Sequence, residues 1–118
     1  VWHTKLLLAW QDVLQLVTAN DETFGIGITS DEWSEAIRVN IDGNIFYVLN
    51  PTLAVPDSLR EQSANAIVLT LWSMACHEAT HHYVDDHNEW FTTTMNYIQR
   101  DSAEVILRCL HKIAKRLL

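Results

Sequence analysis

From Ala66 to Cys76 the chain is apolar nearly all round a helical wheel, and it continues without a break into His77-Glu78-Ala79-Thr80-His81. A helix that is hydrophobic on every side belongs in the middle of a domain, with other elements covering each face. The same helix then carries two imidazoles and a carboxylate. Burying those groups without partners is costly, so the fold must supply hydrogen bonds or a metal ion where this helix ends.

The rest of the chain provides covering elements. From Thr4 to about Ala19, Leu6, Leu7, Trp10, Val13, Leu14 and Val17 recur at helical spacing, which predicts an amphipathic first helix ending near Asn20. Three apolar runs follow, over 24–28, 37–41 and 45–49. The last two are separated by Asp42-Gly43-Asn44, a strong hairpin signal, and a small, mostly antiparallel three-stranded sheet is expected. Pro51 and Pro56 mark the exit from the sheet. Asp57 or Ser58, with Glu61, offers a cap and capping box for the central helix. Beyond Asp85-Asp86 two helices are predicted. One is capped by Asn88, and the other runs from about Asp101 or Ser102 to the C-terminus with Ile106, Leu110, Ile113 and Leu117 on its buried stripe. The expected fold class is therefore α+β, in a single domain over 1–118.

Composition narrows the function. Hydrophobic residues make up 48% and charged residues 19%, with only three Gly and two Pro, as in a globular domain that buries roughly two-thirds of its chain surface. A formal charge of −7 disfavours a nucleic-acid backbone, whose binding depends on Lys and Arg. The basic residues near the C-terminus, Arg108, Lys112, Lys115 and Arg116, complement a helix dipole. Cys76 and Cys109 form no CxxC pair and are expected as small core residues in a reducing compartment. The run Lys5–Trp10 is too short to span a bilayer, so a cytoplasmic location without membrane association is expected. The chain begins at Val1, which leads to the expectation of a segment from a longer protein with further domains.

On a helix, residues at i and i+4 lie one above the other, so the HExxH spacing aims His77 and His81 at one point. Glu78, rotated by about 100°, flanks that point instead of ligating there, within reach of a water whose proton it can accept. A catalytic zinc takes three protein ligands and keeps a fourth position open. His87 is one candidate for the third ligand. Asp101 and Glu104, on a later helix, are the others, although an N-cap and capping-box pair accounts for both acids as well. Asp85 and Asp86 tolerate left-handed backbone and are placed to end the helix, folding His87 back toward the metal. Phe91, with Trp90, is expected to pack the next helix against this one. His82, Tyr83, Tyr97 and His111 are candidates for stabilising an oxyanion, and Asp85 or Asp86 for orienting a ligand imidazole.

The spacing His77-x3-His81-x5-His87 resembles that of metzincins, with Val84 standing where those enzymes have Gly. The fifteen residues from His77 to Phe91, with His87-Asn88-Glu89-Trp90 after the HExxH, resemble more closely the small zincin domains of the WLM and YgjP-like kind. That resemblance implies a zincin-like minimal domain with His77, His81 and His87 as Zn2+ ligands and Glu78 as general base. The implied activity is a zinc-dependent peptidase acting on a peptide or protein substrate. The strand over 45–49 would form the rim along which an extended substrate pairs. The competing expectation is a zinc-containing regulatory or interaction module of a larger protein, with weak or no turnover.

Overall fold

In chain order the elements of the computed structural model, which describes residues 1–19 and 21–118, are α1 (Trp2–Thr18), β1 (Gly25–Ile28), β2 (Ala36–Ile41), β3 (Asn44–Leu49), α2 (Pro51–Ala54), α3 (Asp57–Arg60), α4 (Ala64–Thr80) and α5 (Glu89–Ala114). A short 3-10 turn, Lys115–Leu117, follows. The fold class is α+β, as the alternation of patterns indicated. No helix among the described residues is long and apolar enough to cross a membrane.

Helix α4 is the centre of the core. Ile67, Val68, Leu71, Ala75, Cys76 and Ala79 are buried against the α1 stripe Leu6, Ala9, Trp10, Val13, Leu14 and Val17. Trp10 also donates its indole N–H to the Tyr47 carbonyl at 3.2 Å, tying α1 to the sheet. The end expected for α1 near Asn20 falls outside the described residues. The last helical residue is Thr18, and Ala19 turns away at φ 52°.

The start of α4 differs from expectation. Asp57 and Ser58 open a separate single turn after Pro56, and Ser63 caps α4 by accepting the Ala66 N–H at 3.1 Å. Ser63 is extended, at φ −131° and ψ 151°, which is cap and not helix geometry. The two helices expected after Asn88 are one. Asn88 does cap α5, its Oδ1 accepting from Phe91 N–H at 3.1 Å, but the helix then runs for 26 residues through Asp101 and Ser102. No Gly or Pro interrupts it. Ser102 points inward, donating to the Ile98 carbonyl at 2.7 Å and accepting from Trp72 Nε1 at 2.9 Å, so its hydroxyl joins α5 to α4 and does not start a helix. Cys76 is buried and Cys109 half-buried, consistent with packing roles.

The sheet order is β1-β3-β2. The hairpin forms as expected, with Asp42 at φ 53° and Gly43 at φ 86° making a two-residue turn. The sheet is not mostly antiparallel, because β1 lies parallel to β3. The physical cause is the connection over 29–35. Thr29 N–H bonds the Leu49 carbonyl and Asn50 N–H bonds the Glu35 carbonyl, so the chain crosses the end of β3 and enters β2 on its far side. A Cβ at Gly25, where β1 meets β3, would stand 2.7 Å from the Phe46 ring, so a larger residue there would force that ring to move.

This packing predicts a contrast between two leucines. Leu71→Ala, at a fully buried site on α4, should lower the unfolding free energy by about 2–5 kcal/mol. Leu107→Ala, on the exposed face of α5, should change it by less than about 0.5 kcal/mol. Urea unfolding followed by circular dichroism measures both.

Candidate metal centre

The last turn of α4 and the start of α5 meet at one point. His77, in α4, and His81, its C-cap, stand one turn apart on the helix, and the chain leaves α4 through a tight turn over 81–83. No positive φ occurs at Val84, Asp85 or Asp86, so the left-handed stop expected at the two aspartates is not how the helix ends. Successive amide bonds do this instead, from His82 to the Ala79 carbonyl and from Tyr83 and Val84 to the Thr80 carbonyl. Asn88 then starts α5 and leaves His87 facing α4.

One nitrogen each from His77, His81 and His87 lies within 4.8 Å of the others. The Nε2 atoms of His77 and His87 are 3.2 Å apart. A tetrahedral ion with bonds of about 2.0–2.1 Å spaces its ligand nitrogens about 3.3–3.4 Å apart, so these two rings already have the separation of ligands on one ion. His81 Nδ1 is 3.2 Å from the Val84 carbonyl. A carbonyl only accepts, so Nδ1 carries the proton and Nε2 keeps its lone pair for a metal. The orienting partner is thus a backbone carbonyl, not Asp85 or Asp86. Burial, reinforced by the neighbouring His81 and His87, lowers the His77 pKa and favours the neutral, ligating form.

Phe91 forms the floor. It is buried, and its ring centroid lies 4.9, 4.8 and 4.7 Å from those of His77, His81 and His87. Trp90, expected beside it, is exposed instead, because its position on α5 faces away from α4.

Glu78 stands beside the three rings without joining them. Its Oε2 is 3.7 Å from His77 Nε2, and its Oε1 accepts the backbone N–H of Arg38 at 3.1 Å. Burial raises its pKa to about 7, against the lowering effect of that hydrogen bond. A cavity of about 320 Å³ opens next to it, lined by Ser34, Glu35 and Ala36 at the start of β2 and by Ser73, Met74, His77 and Glu78 of α4. The strand at this rim is β2, not the strand over 45–49. Strand β3 is paired on both sides and has no edge to offer.

The other candidates lie apart from the three rings. Asp101 and Glu104 are exposed on α5, Glu104 paired with Arg108 at 2.9 Å. Tyr83 is exposed, and Tyr97 stacks under Arg100 with 4.5 Å from guanidinium to ring centre. His111 is twenty residues past Phe91 on one continuous helix, about 30 Å along its axis. His82 turns away into an ion-pair cluster, its Nδ1 2.7 Å from Glu22 Oε2. That cluster, which also holds Arg38 and Tyr47, has no signal in the sequence, since its members come from four separated segments. Burial disfavours the ionised Glu22, but hydrogen bonds from Arg38 and Tyr47 and the charges of Arg38 and His82 outweigh it and hold the carboxyl below its ordinary range.

A scan against protein-family models, a search of curated proteins and a search of solved structures each give no match.

The depressed Glu22 pKa predicts a pH-dependent stability. A carboxyl lowered on folding stabilises fully above its ordinary value of 4.5 and loses that contribution as pH falls through the native value. Glu22→Gln should therefore lower stability by roughly 2–4 kcal/mol at pH 7, because it leaves a largely buried guanidinium unpaired. The gap from wild type should narrow below about pH 4 in denaturant titrations at stepped pH.

Proposed function

We propose that this chain is a zinc-dependent metallohydrolase of the small zincin kind, acting on peptide bonds. The observation that carries the reading is the convergence of His77, His81 and His87 from two helices within 4.8 Å, with the buried Glu78 beside them and outside the set. Three imidazoles are a donor set suited to zinc, and three histidines with a fourth position left to water is the pattern of catalytic zinc sites.

His77, His81 and His87 would hold the zinc, which would supply Lewis acidity for polarising a carbonyl and lowering the pKa of a bound water to about 7. The chain's own groups supply the remainder. Val84 fixes the His81 tautomer through its carbonyl. The Arg38 amide occupies Glu78 Oε1, which leaves Oε2 on the imidazole side to take the proton of the attacking water and return it to the leaving amine. Alternate residues of an antiparallel strand turn their backbone groups the same way. Glu35 bonds toward β3, so Ala36, Arg38 and Asn40 present theirs on the free edge of β2; Glu78 takes the Arg38 amide, and an extended peptide pairs with the edge groups that remain beside the cavity.

Metal content is the first test. The full chain purified without an affinity-metal column should carry about one zinc by elemental analysis. His87→Ala should weaken zinc binding by at least about 10-fold, while Asp101→Ala and Glu104→Ala leave it intact. Metal retained in His87→Ala and lost in an acid variant would reverse the ligand assignment.

Glu78→Gln separates enzyme from zinc-containing module. It keeps the size of the side chain and removes the base, so zinc should stay bound while cleavage of a mixed peptide library, followed by mass spectrometry, falls roughly 10²–10⁴-fold. A zinc-loaded wild type that cleaves nothing in that library favours the module.

A further inference from the structure

Behind Glu78, four side chains from four segments meet: Glu22 between α1 and β1, Arg38 on β2, Tyr47 on β3 and His82 in the turn after α4. Arg38 Nη2 donates to Glu22 and lies 3.1 Å from His82 Nδ1, and its guanidinium carbon sits 5.9 Å from the Tyr47 ring centre. Glu22 also accepts from the Tyr47 hydroxyl, and its Oε2 is 2.7 Å from His82. The Glu22 side chain is 7% exposed and that of Arg38 14%, so these are held groups and not a solvated surface pair.

Their placement has a mechanical meaning. Strand β2 is an edge strand, paired only with β3. The Arg38 N–H lies on its free side, where an edge amide ordinarily meets water. Here it donates to Glu78 Oε1 instead. That bond holds only while β2 keeps its distance from α4, and the Arg38 side chain reaches across to His82, the residue after His81, and to Glu22.

We propose that Glu22, Arg38 and His82 are positioning residues for Glu78. The Arg38 side chain, held by Glu22, which His82 holds in turn, sets the edge strand so that its own backbone amide pins one oxygen of Glu78 and leaves the other facing the three imidazoles. The catalytic meaning rests on the metallohydrolase reading; the mechanical link does not. An arginine suits the role because its planar guanidinium meets the Glu22 carboxylate in a fixed orientation, which a lysine ammonium on a flexible stem does less well.

The test is amide hydrogen exchange by NMR on the zinc-loaded full chain, comparing wild type, Glu22→Gln and Arg38→Lys. In wild type the Arg38 amide should be protected although it points away from β3, and Glu78→Gln should move its proton resonance, since the acceptor changes from carboxylate to amide. In Glu22→Gln and Arg38→Lys its exchange should rise about tenfold or more, while the Ile37 and Val39 amides, which bond β3, stay protected and zinc content stays at the wild-type value. Should Glu22→Gln fail to fold, the pair Glu22→Gln with Arg38→Met leaves no charge unpaired and is read the same way at the residue 38 amide.

An Arg38 amide unaltered in folded variants overturns the proposal. So does loss of protection across the whole β2–β3 ladder, which would make the cluster a general staple. A wild type that cleaves no peptide, with the Arg38 amide behaving as expected, sinks the peptidase reading and leaves the positioning intact. If the wild type does cleave, the two variants should lose about 10- to 100-fold in kcat with KM little changed, the signature of a misplaced base.

Discussion

Burial of α4 between α1 and α5 is the constraint on which the other features depend. A helix whose faces carry Ile67, Val68, Leu71, Ala75 and Cys76 cannot lie on a surface, and the α1 stripe around Trp10 covers one side while α5 covers another. The sheet then packs against the same helix through its edge strand. Because the three covering layers close on the end of α4, the residues there are enclosed on one side and open on the other. The Glu78 side chain is 10% exposed, while that of His77 beside it is 41% exposed.

That asymmetry gives the two kinds of residue different electrostatic settings. The imidazoles stand at the opening, on the buried Phe91 ring, and burial holds the His77 pKa below its ordinary value. Glu78 sits behind them in a poorer dielectric, where burial raises its pKa to about 7 and one backbone amide is its hydrogen-bond partner. A carboxylate fully satisfied by donors would be a weak base. One held by a single amide keeps an oxygen free and a pKa near neutrality, which is the range in which a proton can be taken and given back.

The sheet topology contributes in a way its small size conceals. The parallel placement of β1 leaves β3 in the middle and makes β2 the edge beside α4. Had the strands followed chain order, the strand next to α4 would have been a different one and the Arg38 amide would have been spent on a neighbouring strand. The crossing of the chain over 29–35, held by Asp31 through the Trp33 and Ser34 amides at 2.8 and 3.0 Å, is therefore part of what brings Arg38 to Glu78.

Local rules made much of this legible in the chain itself. Helical periodicity marked α1 and α4, the Asp42-Gly43 pair marked the hairpin, Asn88 marked the cap of α5, and i,i+4 spacing placed His77 and His81 on one face, because each depends on residues within a few positions of one another. The spacing also put His87 in reach, which the capped start of α5 accounts for. Local signals misled where a side chain found a distant partner: Ser102 has the chemistry of an N-cap, yet its hydroxyl accepts from Trp72 and donates to the Ile98 carbonyl, and the helix runs on through it. Strand order, the identity of the edge strand, and the meeting of Glu22, Arg38, Tyr47 and His82 were decided by tertiary structure alone. They arise from backbone pairing and charge contacts between segments far apart in the chain, and such contacts leave no periodicity or spacing to be found in a sequence.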